Sequence, residues 1–326
     1  MNDPIGSQEV EARFFEGTEK KVELVIDDAL PSLRGFGDEY WARIARCCGA
    51  RILSTISSES CDAHLLSESS LFVFDHKMIM ITCGRTTLPE AVIELLRRVR
   101  PEEIELFIYE RKNEVYPRHQ PTSFYDDVKR LDELLPGRAF RFGDEDEHHV
   151  LLFHLDRPYR CPERDLTVEI LMHGIDDATR ASFDAADTQG STMLRQRAQL
   201  EKILPGFRID DHLFRPSGYS LNALRDDMYW TLHVTPERNG SYVSFETNYR
   251  VDGKLESIAG PLLELFRPRS FDLVAFHQGE RLEFEPERYR VKSHVAQELS
   301  CGYEVRFMSF FRPQAGVRSP LELPIR

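Results

Sequence analysis

Leu166, Val168, Ile170 and Met172 occupy every second position, with Thr167, Glu169 and Leu171 between them. A period of two predicts a strand whose faces meet unlike surroundings. Apolar runs at 50–57, 71–75, 78–82, 104–109 and 150–155 predict more strands in the first half. The second half reads the same way at 219–224, 228–235, 241–247, 271–277, 289–296 and 303–311. Helical spacing interrupts this pattern. Thr87-Leu88-Pro89-Glu90 reads as a capping box with an early proline, and Val92, Leu95, Leu96 and Val99 then form a stripe. Ser123 and Asp126 open a second helix that carries Val128, Leu131, Leu134 and Leu135, and Pro136-Gly137 ends it. A third stripe of Leu255, Ile258, Leu262 and Phe266 predicts another helix, with Pro261 inside it counting against an unbroken one. The polar segment 177–195 predicts a short helix and a connection.

Strand pairs joined by short loops predict mainly antiparallel sheets. Strand and helix do not alternate strictly, which argues against a doubly wound parallel fold. The pattern alone gives an α+β protein, either one domain or two similar halves divided at 177–195.

Composition narrows the possible partners. The 326 residues are 41% hydrophobic, enough for a substantial core. A net charge of -13 argues against a nucleic acid or an anionic membrane and suits a cationic small molecule. No apolar run approaches the roughly 20 residues of a membrane span, and the polar start Met1-Asn2-Asp3-Pro4 gives no secretory signal. Cys47, Cys48, Cys61, Cys83, Cys161 and Cys301 fit neither a zinc knuckle nor a disulfide framework, so a cytoplasmic location is expected. Asp144-Glu145-Asp146-Glu147-His148-His149 has a metal-binding composition but lies between two predicted strands, where a solvated hairpin loop is expected.

The candidate chemistry lies in short segments. Leu66-Ser67-Glu68-Ser69-Ser70 precedes the apolar run from Leu71. Taken alone, a Ser-Ser pair in a polar turn is ordinary turn chemistry. His233 lies in a predicted strand on the face opposite Met228, Trp230, Leu232 and Val234. A lone strand histidine is ordinarily a hydrogen-bonded structural group. Read as a set, these segments join Phe14-Phe15-Glu16-Gly17-Thr18-Glu19-Lys20, Thr82-Cys83-Gly84, 214–220 and 229–237. The set resembles the eukaryotic-type S-adenosylmethionine decarboxylase proenzymes along almost the whole chain.

The resemblance implies a single domain folded as a four-layer α-β-β-α sandwich. It implies self-cleavage at Glu68-Ser69 into fragments 1–68 and 69–326 that remain associated. Ser69 would become a pyruvoyl group, which forms a Schiff base with the substrate amine, so neither pyridoxal phosphate nor a metal is required. Ser220 and His233 match the processing pair and Cys83 the proton donor, while Glu16 and Glu19 are carried with the catalytic set. Phe15 and Phe214 match two stacking aromatics for S-adenosylmethionine, Glu237 the carboxylate on the ribose, and the backbone at Leu66 and the acidic Glu68 lie beside them.

Glu23, Asp165, Thr167, Glu169 and Glu246 match a putrescine site of the animal enzymes. Like-charged carboxylates would repel unless a cation or a lysine joined them. Where the family has a linking lysine this chain has Ile81, so a bound diamine is expected to activate only modestly. The family includes dimers and monomers, which leaves a homodimer open. Two other functions also remain open: a pyruvoyl-dependent decarboxylase of another amino acid, and a non-catalytic regulatory paralogue.

Overall fold

The strand predicted at 166–172 is buried on both faces, because it lies inside a stack of two sheets. The computed structural model describes residues 15–160, 162, 165–183, 190–250, 255–278 and 284–313. Phe14 and Cys161 lie outside the described residues. The first sheet holds β1 (Lys20–Ile26), β2 (Ile52–Ser57), β3 (Cys61–Leu66), β4 (Ser69–Phe74), β5 (Lys77–Thr82), β6 (Ile104–Lys112), β7 (Gly137–Phe142) and β8 (Val150–Leu155). Its spatial order is β2-β3-β4-β5-β1-β6-β8-β7. The second sheet holds β9 (Leu166–His173), β10 (Arg208–Leu213), β11 (Tyr219–Arg225), β12 (Met228–Thr235), β13 (Tyr242–Thr247), β14 (Ser270–His277), β15 (Arg290–Glu298) and β16 (Glu304–Phe311). Its order is β10-β11-β12-β13-β9-β14-β16-β15. Adding eight to each strand number of the first order gives the second, so the chain uses one topology twice. Every pairing is antiparallel.

Helices cover the outer face of each sheet. Trp41 and Ile44 of α1 (Asp38–Cys47), Val92 and Leu95 of α2 (Leu88–Leu95) and Leu131 of α3 (Phe124–Asp132) join Val22, Leu24 and Met80 in one core. On the other side α4 (Asp177–Ser182) and α5 (Ser191–Arg197) precede β10. Ile258, Leu262 and Phe266 of α6 (Glu256–Phe266) pack on Val168, Ile170, Trp230 and Phe245. Pro261 does not interrupt α6. Burying each large apolar side chain contributes about 1.5–3 kcal/mol, which outweighs one lost helical hydrogen bond.

The inner faces meet each other. Ile108 and Leu152 of the first sheet pack with Leu171, Val274, Phe276 and Phe307 of the second. Nearby, Phe72, Ile79 and Ile81 pack on Tyr229 and Leu224. The result is the expected α-β-β-α sandwich. Polar side chains on the inner faces lie between the sheets, where they need partners. That requirement shapes the site.

Candidate active site at the Glu68-Ser69 bond

β3 and β4 form a hairpin whose turn is Ser67-Glu68, with Leu66 paired to Ser69. Ser69 has φ of 122°, a region that a residue with a side chain rarely adopts. Such a conformation costs on the order of 1–3 kcal/mol and persists only where the surroundings impose it. Here both neighbouring strands impose it, because β4 also pairs with β5 and sets Ser69 opposite Thr82. Cys83 follows β5, and its N–H donates to the Glu68 carbonyl oxygen at 3.0 Å. The Cys83 Sγ lies 3.6 Å from the same oxygen and 3.6 Å from Ser69 Oγ. A donor therefore already rests on the oxygen that would gain charge if Ser69 attacked. Gly84 permits this closeness: it has φ of +63°, and a Cβ there would lie 2.9 Å from Glu68 Oε2 and 3.1 Å from the Phe15 ring.

The second sheet supplies the imidazole. β11 pairs with β12 so that Ser220 and His233 are directly opposite. His233 Nδ1 is 2.9 Å from Ser220 Oγ, and its Nε2 is 2.8 Å from Thr231 Oγ1 and 3.1 Å from Ser70 Oγ. Ser70 Oγ also donates to Asn222 Oδ1 at 2.5 Å. Burial depresses His233 to about 3, so the ring is neutral at physiological pH. The serine hydroxyl on His233 Nε2 thus belongs to Ser70, one residue past the expected nucleophile. Ser70, Asn222 and Thr231 were not among the sequence candidates. Thr231 could have been found, since it lies two positions before His233 on the same strand face.

Burial also sets the other groups. It pushes the Cys83 thiol well up, with the Glu68 carboxylate adding to the effect, so the thiol keeps its proton. Glu68 itself rises to about 7 through burial, against Arg51 and Lys20. Glu19 rises to about 8 by burial, although Lys112 opposes this and Ser244 Oγ donates to Glu19 Oε1 at 2.6 Å. Glu16 accepts from Thr18 Oγ1 at 3.0 Å and from the Tyr116 N–H at 3.0 Å, which anchors the entering chain.

A cavity of about 350 Å³ opens at the hairpin turn. Phe15, Glu68, Ser69, Cys83, Phe214, Ser220, His233 and Glu237 all line it. Residues as far apart as Phe15 and Glu237 meet here, where the Phe15 N–H donates to Glu237 Oε1 at 3.2 Å. Burial raises the Glu237 carboxyl. The Leu66 side chain is not in this wall; it is buried under the helices with Val22 and Leu71.

The acidic cluster differs from the expectation. Lys21 Nζ sits between Glu169 at 2.8 Å and Glu246 at 3.0 Å, with Glu110 at 3.6 Å. Lys112 Nζ lies 2.8 Å from Glu169 and 3.2 Å from Glu110. Glu169 and Glu246 are cross-strand partners, as are Lys21 and Glu110. Burial would raise Glu169, but the two lysines hold it at about 2. Burial and Glu169 push Glu110 up to about 7. Asp165 is apart from this group and accepts from Tyr303 Oη at 2.5 Å. Glu23 and Thr167 are buried between the sheets. The chain therefore supplies its own cations where a diamine was expected. Ile81, in place of the family's lysine, lies in the apolar cluster with Phe72 and Tyr229. Sequence reading missed Lys21, Lys112 and Glu110. Their signal was charge on otherwise apolar strands, where a buried ion needs a counter-ion.

The profile of the adenosylmethionine decarboxylase family matches residues 12–311. An S-adenosylmethionine decarboxylase proenzyme of Leishmania donovani is 30% identical over 92% of this chain and 87% of that protein. The proenzyme of that name from Xenopus laevis is 33% identical over 82% of this chain and 85% of its own length. The Trypanosoma brucei AdoMetDC-delta26 monomer shares the fold, with a TM-score of 0.60, 23% identity, and coverage of 75% of this chain and 99% of that one. By the extent of these matches, the chain belongs to the adenosylmethionine decarboxylase family.

Proposed function

We propose that this chain is a proenzyme that cleaves its own backbone between Glu68 and Ser69 and then decarboxylates S-adenosylmethionine. The product is the aminopropyl donor for spermidine and spermine synthesis. One observation carries the reading. The strained Ser69, the Glu68 carbonyl held by the Cys83 N–H, and the two phenylalanines share one cavity.

Cleavage begins when Ser69 Oγ attacks the Glu68 carbonyl carbon. The Cys83 N–H stabilises the oxyanion. The C–N bond then breaks, the Ser69 nitrogen leaves as an amine, and an ester joins the Ser69 oxygen to Glu68. Removal of the Ser69 α-proton expels Glu68 as a carboxylate and leaves a dehydroalanine. This tautomerises to an imine, which takes up water and releases ammonia to leave a pyruvoyl group. His233 is neutral, so it can accept a proton without first losing one. Its contacts to Ser70, Ser220 and Thr231 fix the ring and offer hydroxyls to relay the proton.

The residues present fit a pyruvoyl group, since Ser69 is in the cavity wall beside the Cys83 thiol. Once formed, the group supplies a carbonyl that condenses with the substrate amine and accepts the electron pair left by carbon dioxide. Phe15 and Phe214 present ring faces to the adenine and the sulfonium, and Glu237 takes the ribose hydroxyls. Their presence favours an adenosyl substrate over a bare amino acid. The Cys83 thiol, kept protonated by burial, returns a proton to the substrate α-carbon.

The fragments 1–68 and 69–326 remain one folded domain. With Lys21 and Lys112 in place, the acidic cluster needs no putrescine for charge balance. Cys47, Cys48, Cys61, Cys83 and Cys301 are free thiols, which suits a reducing cytoplasm. Intact-mass measurement on the purified protein tests the reading: two masses corresponding to a cut before residue 69 are expected. Ser69→Ala should leave one full-length, inactive chain. An uncut wild type with full activity would refute the proposal.

A further inference from the structure

The loop between β7 and β8 carries a histidine that the decarboxylation does not use. His148 comes from the first half of the chain yet reaches the second sheet. There it meets His173 at the end of β9 and Asp272 in β14. His148 Nδ1 is 3.5 Å from Asp272 Oδ2, and His173 Nε2 is 2.9 Å from the same oxygen. We propose that His148, His173 and Asp272 bind one divalent first-row transition-metal ion, which ties the β7–β8 loop to the second sheet.

The ligand spacing suits such an ion. At metal–ligand distances of about 2.0–2.1 Å, neighbouring donor atoms lie roughly 3.0–3.4 Å apart. The observed separations from Asp272 bracket that range, and all three donor atoms lie within 4.8 Å of one another. Among the described residues, this is the one group of three His, Cys, Asp or Glu side chains close enough to share an ion.

An ordinary hydrogen bond from His173 to Asp272 explains only part of the arrangement. It does not explain Asp272 Oδ1, which has no hydrogen-bond partner although the residue is 2% exposed. A buried carboxylate oxygen without a partner is costly, and a cation beside it removes that cost. Two imidazole nitrogens and one carboxylate oxygen favour zinc, cobalt, nickel or iron over magnesium or calcium. The His148 side chain is 35% exposed, which leaves an entry path and room for water as a further ligand.

The loop around His148 is already held in place. Gly143 has φ of +101°, and a Cβ there would lie 2.8 Å from the His148 carbonyl oxygen and 3.0 Å from the Phe307 ring. Lys292 of β15 also binds Glu147 at 2.6 Å. The ion would therefore find its ligands largely preorganised.

The test uses tag-free, processed protein stripped with a chelator. Cobalt(II) is added and followed by visible absorption, and zinc is added and followed by calorimetry and thermal unfolding. One equivalent should bind, with a cobalt d–d band and a rise in Tm. His148→Ala removes a loop ligand without touching either core. It should weaken zinc binding by at least about 100-fold, the upper end for losing only an outer-shell partner. Asp272→Asn should do the same. Absence of saturable binding by the wild type would overturn the proposal, as would wild-type affinity in the His148→Ala protein.

Discussion

Lys21 gives the sharpest quantitative test of how the sheets are held together. Its ammonium lies 2.8 Å from Glu169 and 3.0 Å from Glu246, and the side chains of all three are at most 6% exposed. At an effective dielectric of 20, each contact is worth about 6 kcal/mol before desolvation. Burying the ions costs much of that back, so the net pair contributes far less than the sum. Removing only the lysine is different, because both carboxylates remain buried and facing each other across β9 and β13. Lys21→Ala should therefore destabilise by about 3–5 kcal/mol. Both proteins in the comparison should also carry Ser69→Ala, so that each unfolds as one uncut chain. Urea unfolding at pH 8 gives the difference. At pH 5.5 it should shrink, because Glu246, left without its lysine while Glu169 keeps Lys112, can then take up a proton in the variant. Propylamine or putrescine should raise the Tm of the variant and leave the parent unchanged. A pH-independent loss under about 1 kcal/mol would show that Lys21 does not satisfy these carboxylates.

Other consequences follow from the same geometry. A processed Cys83→Ala enzyme should lose turnover while substrate binding changes little, and unchanged kcat would remove the thiol from the proton-donor role. Phe15→Ala and Phe214→Ala should each weaken S-adenosylmethionine binding, by roughly 0.5–1.5 kcal/mol beyond lost area; calorimetry that finds both silent would exclude stacking. Burial raises Glu19 from its ordinary 4.5 to about 8. The folded chain thus holds a proton there that the unfolded chain releases, so this group's stabilisation is full below pH 4.5 and is lost as pH rises through 8. Glu19→Gln should flatten the fall in urea midpoint between pH 6 and 9, and an equally steep fall in both proteins would refute the assignment.

Legibility in the sequence followed the physics of each element. β9 and β12 were readable because their two faces carry different residues. β1 was missed because Lys20, Lys21 and Glu23 break up an otherwise apolar strand, and only a second sheet makes those charges internal. α1 was missed although Tyr40, Trp41, Ile44 and Ala45 form its buried face, since it is short and its remaining positions are mostly charged. β3, β7 and β10 carry too few apolar residues in alternation to stand out. The catalytic candidates were recognised as a set of motifs, and no periodicity could have brought Phe15 to Glu237. The lysines in the acidic cluster were illegible for another reason. Their partners lie up to 225 positions away in sequence (225 = 246 − 21), so pairing depends on how the sheets face each other.

The repeated topology explains how the proposed cut would leave the fold intact. Equivalent strands β4 and β12 face each other between the sheets, one carrying Ser69 and Ser70 and the other Thr231 and His233. In the proposed processing one half would present the bond and the other the proton acceptor. The proposed cut falls at a hairpin turn, so it would divide no strand. Fragment 1–68 contributes β1, β2 and β3, and β1 is not an edge strand. It pairs with β5 on one side and β6 on the other, both from fragment 69–326. Val22 and Leu24 are fully buried under helices, and Lys21 is locked to Glu110, Glu169 and Glu246 of the longer fragment. Separating the fragments would expose all of that apolar surface and strip the ion cluster of a lysine. The strain at Ser69 is the opposite case: it is local to the first residue of β4, and the proposed cut would release it while the sheets stay closed. The proposed cut would thus run downhill locally and leave the cavity walls in place for the proposed decarboxylation.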